Sequence, residues 1–150
     1  MTSIGSLLVF VVLVFCAAAS GAVFMPGPWY AALNKPWWTP PDWLFPVAWT
    51  VLYAMIAAAG WFVWKAGGWS SAIVIWGIGL VLNALWSYFM FGKQDIFGAL
   101  IDVTWLWLAT GAFVFLAWPL DHRASYIFMI YWVWVTFAGA LNLAVWRMNS

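Results

Sequence analysis

Five stretches of the sequence, at roughly 4–25, 43–64, 70–91, 96–118 and 124–147, are predominantly apolar. Each is close to the length of about 20 residues that an α-helix needs to cross the hydrocarbon core of a bilayer. A backbone in lipid must satisfy its own hydrogen bonds, which restricts what such segments can become. The punctuation falls between the runs, as Met25-Pro26-Gly27-Pro28, Lys65-Ala66-Gly67-Gly68, Gly92-Lys93-Gln94-Asp95 and Pro119-Leu120-Asp121-His122-Arg123. Every charged residue except Asp102 lies in these breaks, in the first loop or near Arg147. The chain is 68% hydrophobic and only 6% charged, whereas a soluble domain is roughly a quarter charged. The expected fold is therefore an all-α integral membrane protein, a single domain over 1–150. Its core is a bundle of five transmembrane helices with a structured loop between the first and second.

Several function classes are excluded early. A net charge of +1 with no basic run offers no phosphate-neutralising patch for nucleic acid. The single cysteine, Cys16, precludes an internal disulfide or a multi-cysteine metal site and reads as a small packed residue. There is no Ser-His-Asp arrangement, no His or Cys metal spacing and no phosphate-binding glycine loop, so no catalytic residue, metal or cofactor is expected. His122, between Asp121 and Arg123, reads as a solvated loop histidine. The apolar run ending CAAASG is similar to a secretory signal, but no Lys or Arg precedes it, so it is read as a retained first span. Lys65 and Arg123 fall on one side of the membrane, and Lys35, Lys93 and Arg147 on the other. That count leans towards a cytoplasmic first loop.

The first loop, about 26–42, leads into LNKPWWTPPDWLFP (Leu33–Pro46), with three tryptophans and four prolines. Proline removes an amide hydrogen and restrains its predecessor, so this backbone is stiff and largely extended. It can hold Trp37, Trp38 and Trp43 in place at low entropic cost. Two roles fit them, an interfacial aromatic anchor or a lid over a flat apolar ligand. Within the spans, residues three and four apart share a face. Phe45, Trp49 and Tyr53 form one stripe, Asn83 lies one turn before Trp86, and Trp134, Ala138 and Asn142 form another. Two amides among aromatic stripes point to the bundle interior and a cavity there, because a buried Asn seeks partners in lipid. Asp102 reads either as a proton site or as a neutral packing carboxyl. The small-residue runs around Ala17–Ala22, Ala57–Gly60 and Ala138–Ala140 read as close packing, a dimer face or a cavity.

Trp29-Tyr30, LNKPWWTPPDWLFPVAWTVLY (Leu33–Tyr53), NALWSYFMFG (Asn83–Gly92), ALIDV (Ala99–Val103) and YWVWVTFAGALN (Tyr131–Asn142) resemble the TspO/MBR family. Its members are the bacterial tryptophan-rich sensory proteins and the mitochondrial translocator (peripheral-type benzodiazepine receptor) proteins. The resemblance covers nearly the whole chain. It implies five transmembrane helices, a ligand pocket under the first loop and a homodimer. It also implies binding of protoporphyrin IX or related tetrapyrroles by a sensor, scavenger or translocator. Alternatives are a light-dependent porphyrin-degrading enzyme, or a sterol-, lipid- or partner-binding membrane protein. Carried over by position, the ligand-binding residues are Tyr30, Trp37, Trp38, Trp49, Tyr53, Asn83, Trp86, Trp134, Ala138 and Asn142. Two departures matter. Ile130 stands where the family usually has proline before the span-five tyrosine, so a proline kink there is not implied. LNLAVWR carries Leu143 and Ala144 where the sterol consensus has tyrosine, so sterol binding is not carried over. A short tail after the fifth span resembles bacterial members, which implies the bacterial cell membrane.

Overall fold

A computed structural model describes residues 3–150. Its long helices are α1 (Ser3–Val23), α3 (Leu44–Gly67), α4 (Ser71–Ser87), α5 (Ile96–Ala117) and α6 (His122–Met148). A π-helical turn, Tyr88–Gly92, extends α4. These five spans, taking α4 with its π-turn, are each long and apolar enough to cross a membrane. They match the expected runs to within a few residues.

The helices close into a ring. α1 packs on α3 and α4, α3 on α6, α6 on α5, and α5 on α4. Each contributes one buried face at helical spacing. On α1 that face is Ser6, Phe10, Val14 and Ala17; on α3 it includes Leu52, Ile56, Ala59 and Val63. α5 is the most enclosed, burying Ala99, Asp102, Val103, Leu106, Thr110 and Phe113 among others. The opposite faces expose large apolar side chains such as Ile4, Leu8, Phe15, Val51, Val74, Phe115 and Val133, which a lipid solvent favours. Cys16 also lies on an exposed face, so it is not the packed residue that the sequence suggested.

Side chains in the short breaks cap the spans. Ser70 accepts from the Ile73 amide, Asp95 from Gly98 and Asp121 from Arg123. Each satisfies an amide at a helix start that has no intrahelical partner. Between α1 and α3 the chain forms a short helix, α2 (Pro28–Ala32), within a stretch that the sequence presents only as loop. Pro28 opens it, where a missing amide hydrogen costs nothing.

Small residues serve close approach. Trp76 of α4 donates its indole N–H to the Ile56 carbonyl of α3 at 2.9 Å, and Gly60 makes room for that ring. A Cβ at Gly60 would lie 2.6 Å from Trp76 Cε2 and 2.9 Å from Phe10 Cδ1. A Cβ at Gly77 would meet nothing within 4 Å. Gly60→Ala should therefore lower unfolding stability in detergent by about 1–3 kcal/mol through overpacking. Gly77→Ala should leave the thermal midpoint unchanged or slightly raised.

Candidate ligand-binding site

The loop tryptophans are placed by two turns. The Thr39 amide and hydroxyl both donate to the Pro36 carbonyl, at 3.1 and 2.7 Å, closing a turn with Trp37 and Trp38 at its centre. The Leu44 amide donates to the Pro41 carbonyl and leads into α3. Neighbouring residues at the centre of a turn diverge. Trp38 turns inward and meets Phe137 of α6 edge-on at 5.7 Å. Trp37 is 94% exposed and is not brought to the inner cluster. Trp43 is also exposed.

Beneath Trp38 the stripes of α3 and α6 interlock. Trp134 meets Trp49 at 6.2 Å and 90°, Phe45 at 6.2 Å and Phe137 at 5.7 Å. Trp49 lies 5.5 Å from Tyr53. These are edge-to-face or tilted aromatic contacts, which the ring quadrupole favours. Ala138, one turn beyond Trp134 on α6, is partly buried and supplies little bulk to this wall.

Below the rings a polar chain crosses three helices. The Tyr53 phenol donates to Asn83 Oδ1 at 3.0 Å, and Asn83 Nδ2 donates to Tyr131 Oη at 2.7 Å. A second amide ties the other side. Trp86 Nε1 donates to Asn142 Oδ1 at 2.9 Å, and Asn142 Nδ2 donates to the Ile96 carbonyl at 3.1 Å. Trp86 also meets Phe91, which meets Tyr30 of α2 edge-on at 5.4 Å. The π-turn places Phe91 there, with the Lys93 amide reaching back to the Tyr88 carbonyl. Burial, and to a smaller extent Asp42, pushes the Tyr30 phenol above its ordinary range, so it is a neutral group at this rim.

Nine of the ten expected positions thus lie in or beside one aromatic assembly under the loop, and Trp37 does not. Tyr131 was not among them, yet it is almost fully buried and anchors the polar chain. Its signal was present in the sequence, since it sits three residues before Trp134 on the same face. Both amides are committed to protein partners. Within this assembly it is Trp134 whose buried indole N–H has no hydrogen-bond partner among the described residues. Lys35, beside the loop tryptophans, donates to the Ala31 and Leu33 carbonyls and lies 4.8 Å above the Tyr30 ring. Asp102 is buried on α5, its Oδ2 has no partner among the described residues, and no hydrogen bond joins it to the Tyr131–Asn83 chain. Asn83→Ala would strand both phenols, and it should lower stability in detergent by about 1–2 kcal/mol, read as a shift in thermal unfolding.

The model of the TspO/MBR family matches residues 7–147. Protein CrtK of Rhodobacter capsulatus is 40% identical over 138 residues, covering 89% of this chain and 86% of its own length. The tryptophan-rich sensory protein of Cereibacter sphaeroides is 38% identical, covering 88% and 84%. The translocator protein of Sus scrofa is 36% identical, covering 81% and 75%. With five apolar spans in a closed ring and a family match over nearly its whole length, the chain is a multi-pass integral membrane protein of the TspO/MBR family.

Proposed function

We propose that this protein binds a flat, apolar, acceptor-bearing molecule, protoporphyrin IX or a related tetrapyrrole, among the aromatic side chains under the first loop. The observation that carries the reading is the Trp134 indole. It is a buried donor without a partner, enclosed by Trp49, Phe45 and Phe137. An unmade buried hydrogen bond is costly, so a ligand that brings an acceptor gains what the protein lacks. Edge-on rings supply the remainder. Parting Trp38 and Phe137 from Trp49 and Trp134 opens π-faces on which a planar macrocycle stacks.

Asn83 and Asn142 act in this reading as framework, holding the walls at a fixed spacing while the rings move. Trp37, facing outward, anchors the loop at the membrane interface. The names sensory protein and translocator protein support a role in sensing or translocation, with scavenging as a further use of the same binding, and the bacterial origin of two of the relatives supports a bacterial cell membrane. The lipid-facing apolar surfaces leave room for a homodimer.

A protoporphyrin IX titration of the detergent-solubilised protein, followed in the porphyrin's own absorbance band, tests this. Saturable one-to-one binding is expected. Trp134→Phe keeps a ring but removes the donor and should weaken affinity about tenfold. Trp38→Ala should weaken it at least as much, and Trp37→Ala should leave it unchanged. Unsaturable partitioning, or equal behaviour of all three variants, would contradict the proposal.

A further inference from the structure

The loop that carries Trp38 is gripped from the far end of the chain. Just beyond α6, Asn149 Oδ1 accepts the Asn34 backbone N–H at 2.9 Å, and Asn149 Nδ2 donates to the Asn34 carbonyl at 2.8 Å. One side-chain amide thus pairs with both main-chain groups of a single residue, as a strand neighbour would. Asn149 is itself fixed, because the same Nδ2 also donates to the Val145 carbonyl in the last turn of α6 at 2.7 Å, and its backbone amide donates to the Trp146 carbonyl. These two acceptors are among the four carbonyls that an α-helix leaves unpaired at its end.

The position of the gripped residue gives the contact its reach. Asn34 comes directly before Lys35-Pro36, and Pro36 provides the carbonyl that closes the turn holding Trp37 and Trp38. Prolines make this segment stiff, so fixing Asn34 fixes the path of the chain into that turn. The other end of the loop is already set by the turn into α3. Among the described residues, the one other polar contact from the Asn34 side is its own side chain reaching the Met148 carbonyl at 3.5 Å, which is long for a hydrogen bond.

We propose that Asn149 is a positioning residue, a latch that holds the first loop shut by capturing the Asn34 backbone and so sets how long a ligand stays beneath Trp38. The retention role rests on the ligand-binding reading above; the latch itself does not. The grip is on main chain, so it is insensitive to the side chain at position 34 and depends wholly on the amide at 149. Opening the latch changes the mobility of the loop and leaves the Trp49–Trp134 contacts in place. Its effect on binding therefore falls on release, with the walls of the site unaltered.

The test compares wild type, Asn149→Ala and Asn34→Ala in the full chain. Two quantities are measured, backbone amide exchange at position 34 and the dissociation rate of protoporphyrin IX. Asn149→Ala should speed exchange at position 34 and raise the dissociation rate, each on the order of tenfold for two lost hydrogen bonds. Asn34→Ala should alter both by less than about twofold, since it removes only the long contact. Unchanged exchange in Asn149→Ala, or an equal change in Asn34→Ala, overturns the latch. Faster exchange with unchanged dissociation overturns its role in retention. If the wild type binds no porphyrin saturably, the reading of the site fails, and the exchange comparison still decides the latch.

Discussion

A side-chain amide inside a membrane bundle has no water to fall back on, and the centre of this molecule is organised around that fact. Asn83 accepts from Tyr53 on α3 and donates to Tyr131 on α6 while sitting on α4. Three helices are thereby held in register by one residue. Dispersion alone discriminates poorly between neighbouring registers of apolar helices, because lipid tails are as apolar as Leu. Two directed hydrogen bonds do discriminate. Asn142 acts in the same way between α6, Trp86 on α4 and the Ile96 carbonyl at the start of α5. The aromatic walls of the candidate site are mounted on this frame.

The indoles divide by whether their N–H groups find acceptors. Trp76 reaches the Ile56 carbonyl, Trp86 reaches Asn142, Trp61 reaches Ser6 and the Ser3 carbonyl, and Trp107 reaches Thr136. These rings work as cross-braces between helices, and glycines such as Gly60 admit them. Trp134 is similarly enclosed but has no acceptor, and the same is true of Trp132. Trp132 packs over Gly111, where a Cβ would lie 2.7 Å from its ring, and beside Trp107. Trp134, in contrast, is surrounded by rings that tilt against one another under a loop with its own fastenings. That setting separates the proposed ligand position from a packing position of the same chemistry.

Much of this was legible in the sequence, for physical reasons that vary by element. The spans were readable because length and hydropathy suffice once the solvent is lipid. The stripes on α3 and α6 were readable because helical periodicity fixes which residues are neighbours. The fates of Trp37 and Trp38 were not readable, because adjacent residues in a turn face different ways and only the closed turn decides which is inside. The short helix Pro28–Ala32 and the π-turn Tyr88–Gly92 were missed. Each is about one turn long and is set by contacts from other elements, including Phe24 pressed against Gly92. Asn149 gave no signal, since its partner is 115 positions away in the sequence. The family resemblance also counted both amides, Asn83 and Asn142, among the ligand-binding positions. In the structure both are hydrogen-bonded to protein groups, and the proposed ligand contact is an indole instead.

The central claim is that a planar ligand enters between the loop tryptophan and the α3–α6 wall. The most direct measurement is a structure of the protein determined with protoporphyrin IX bound. The macrocycle should lie between Trp38 and Phe137 on one side and Trp49 and Trp134 on the other, with a ligand acceptor within hydrogen-bond reach of Trp134 Nε1. The molecule also has an outward-facing groove of about 240 Å³ between α5 and α6, lined by Trp107, Thr136, Gly139 and Ala140. A porphyrin seated there, with the aromatic cluster still closed, would contradict the account.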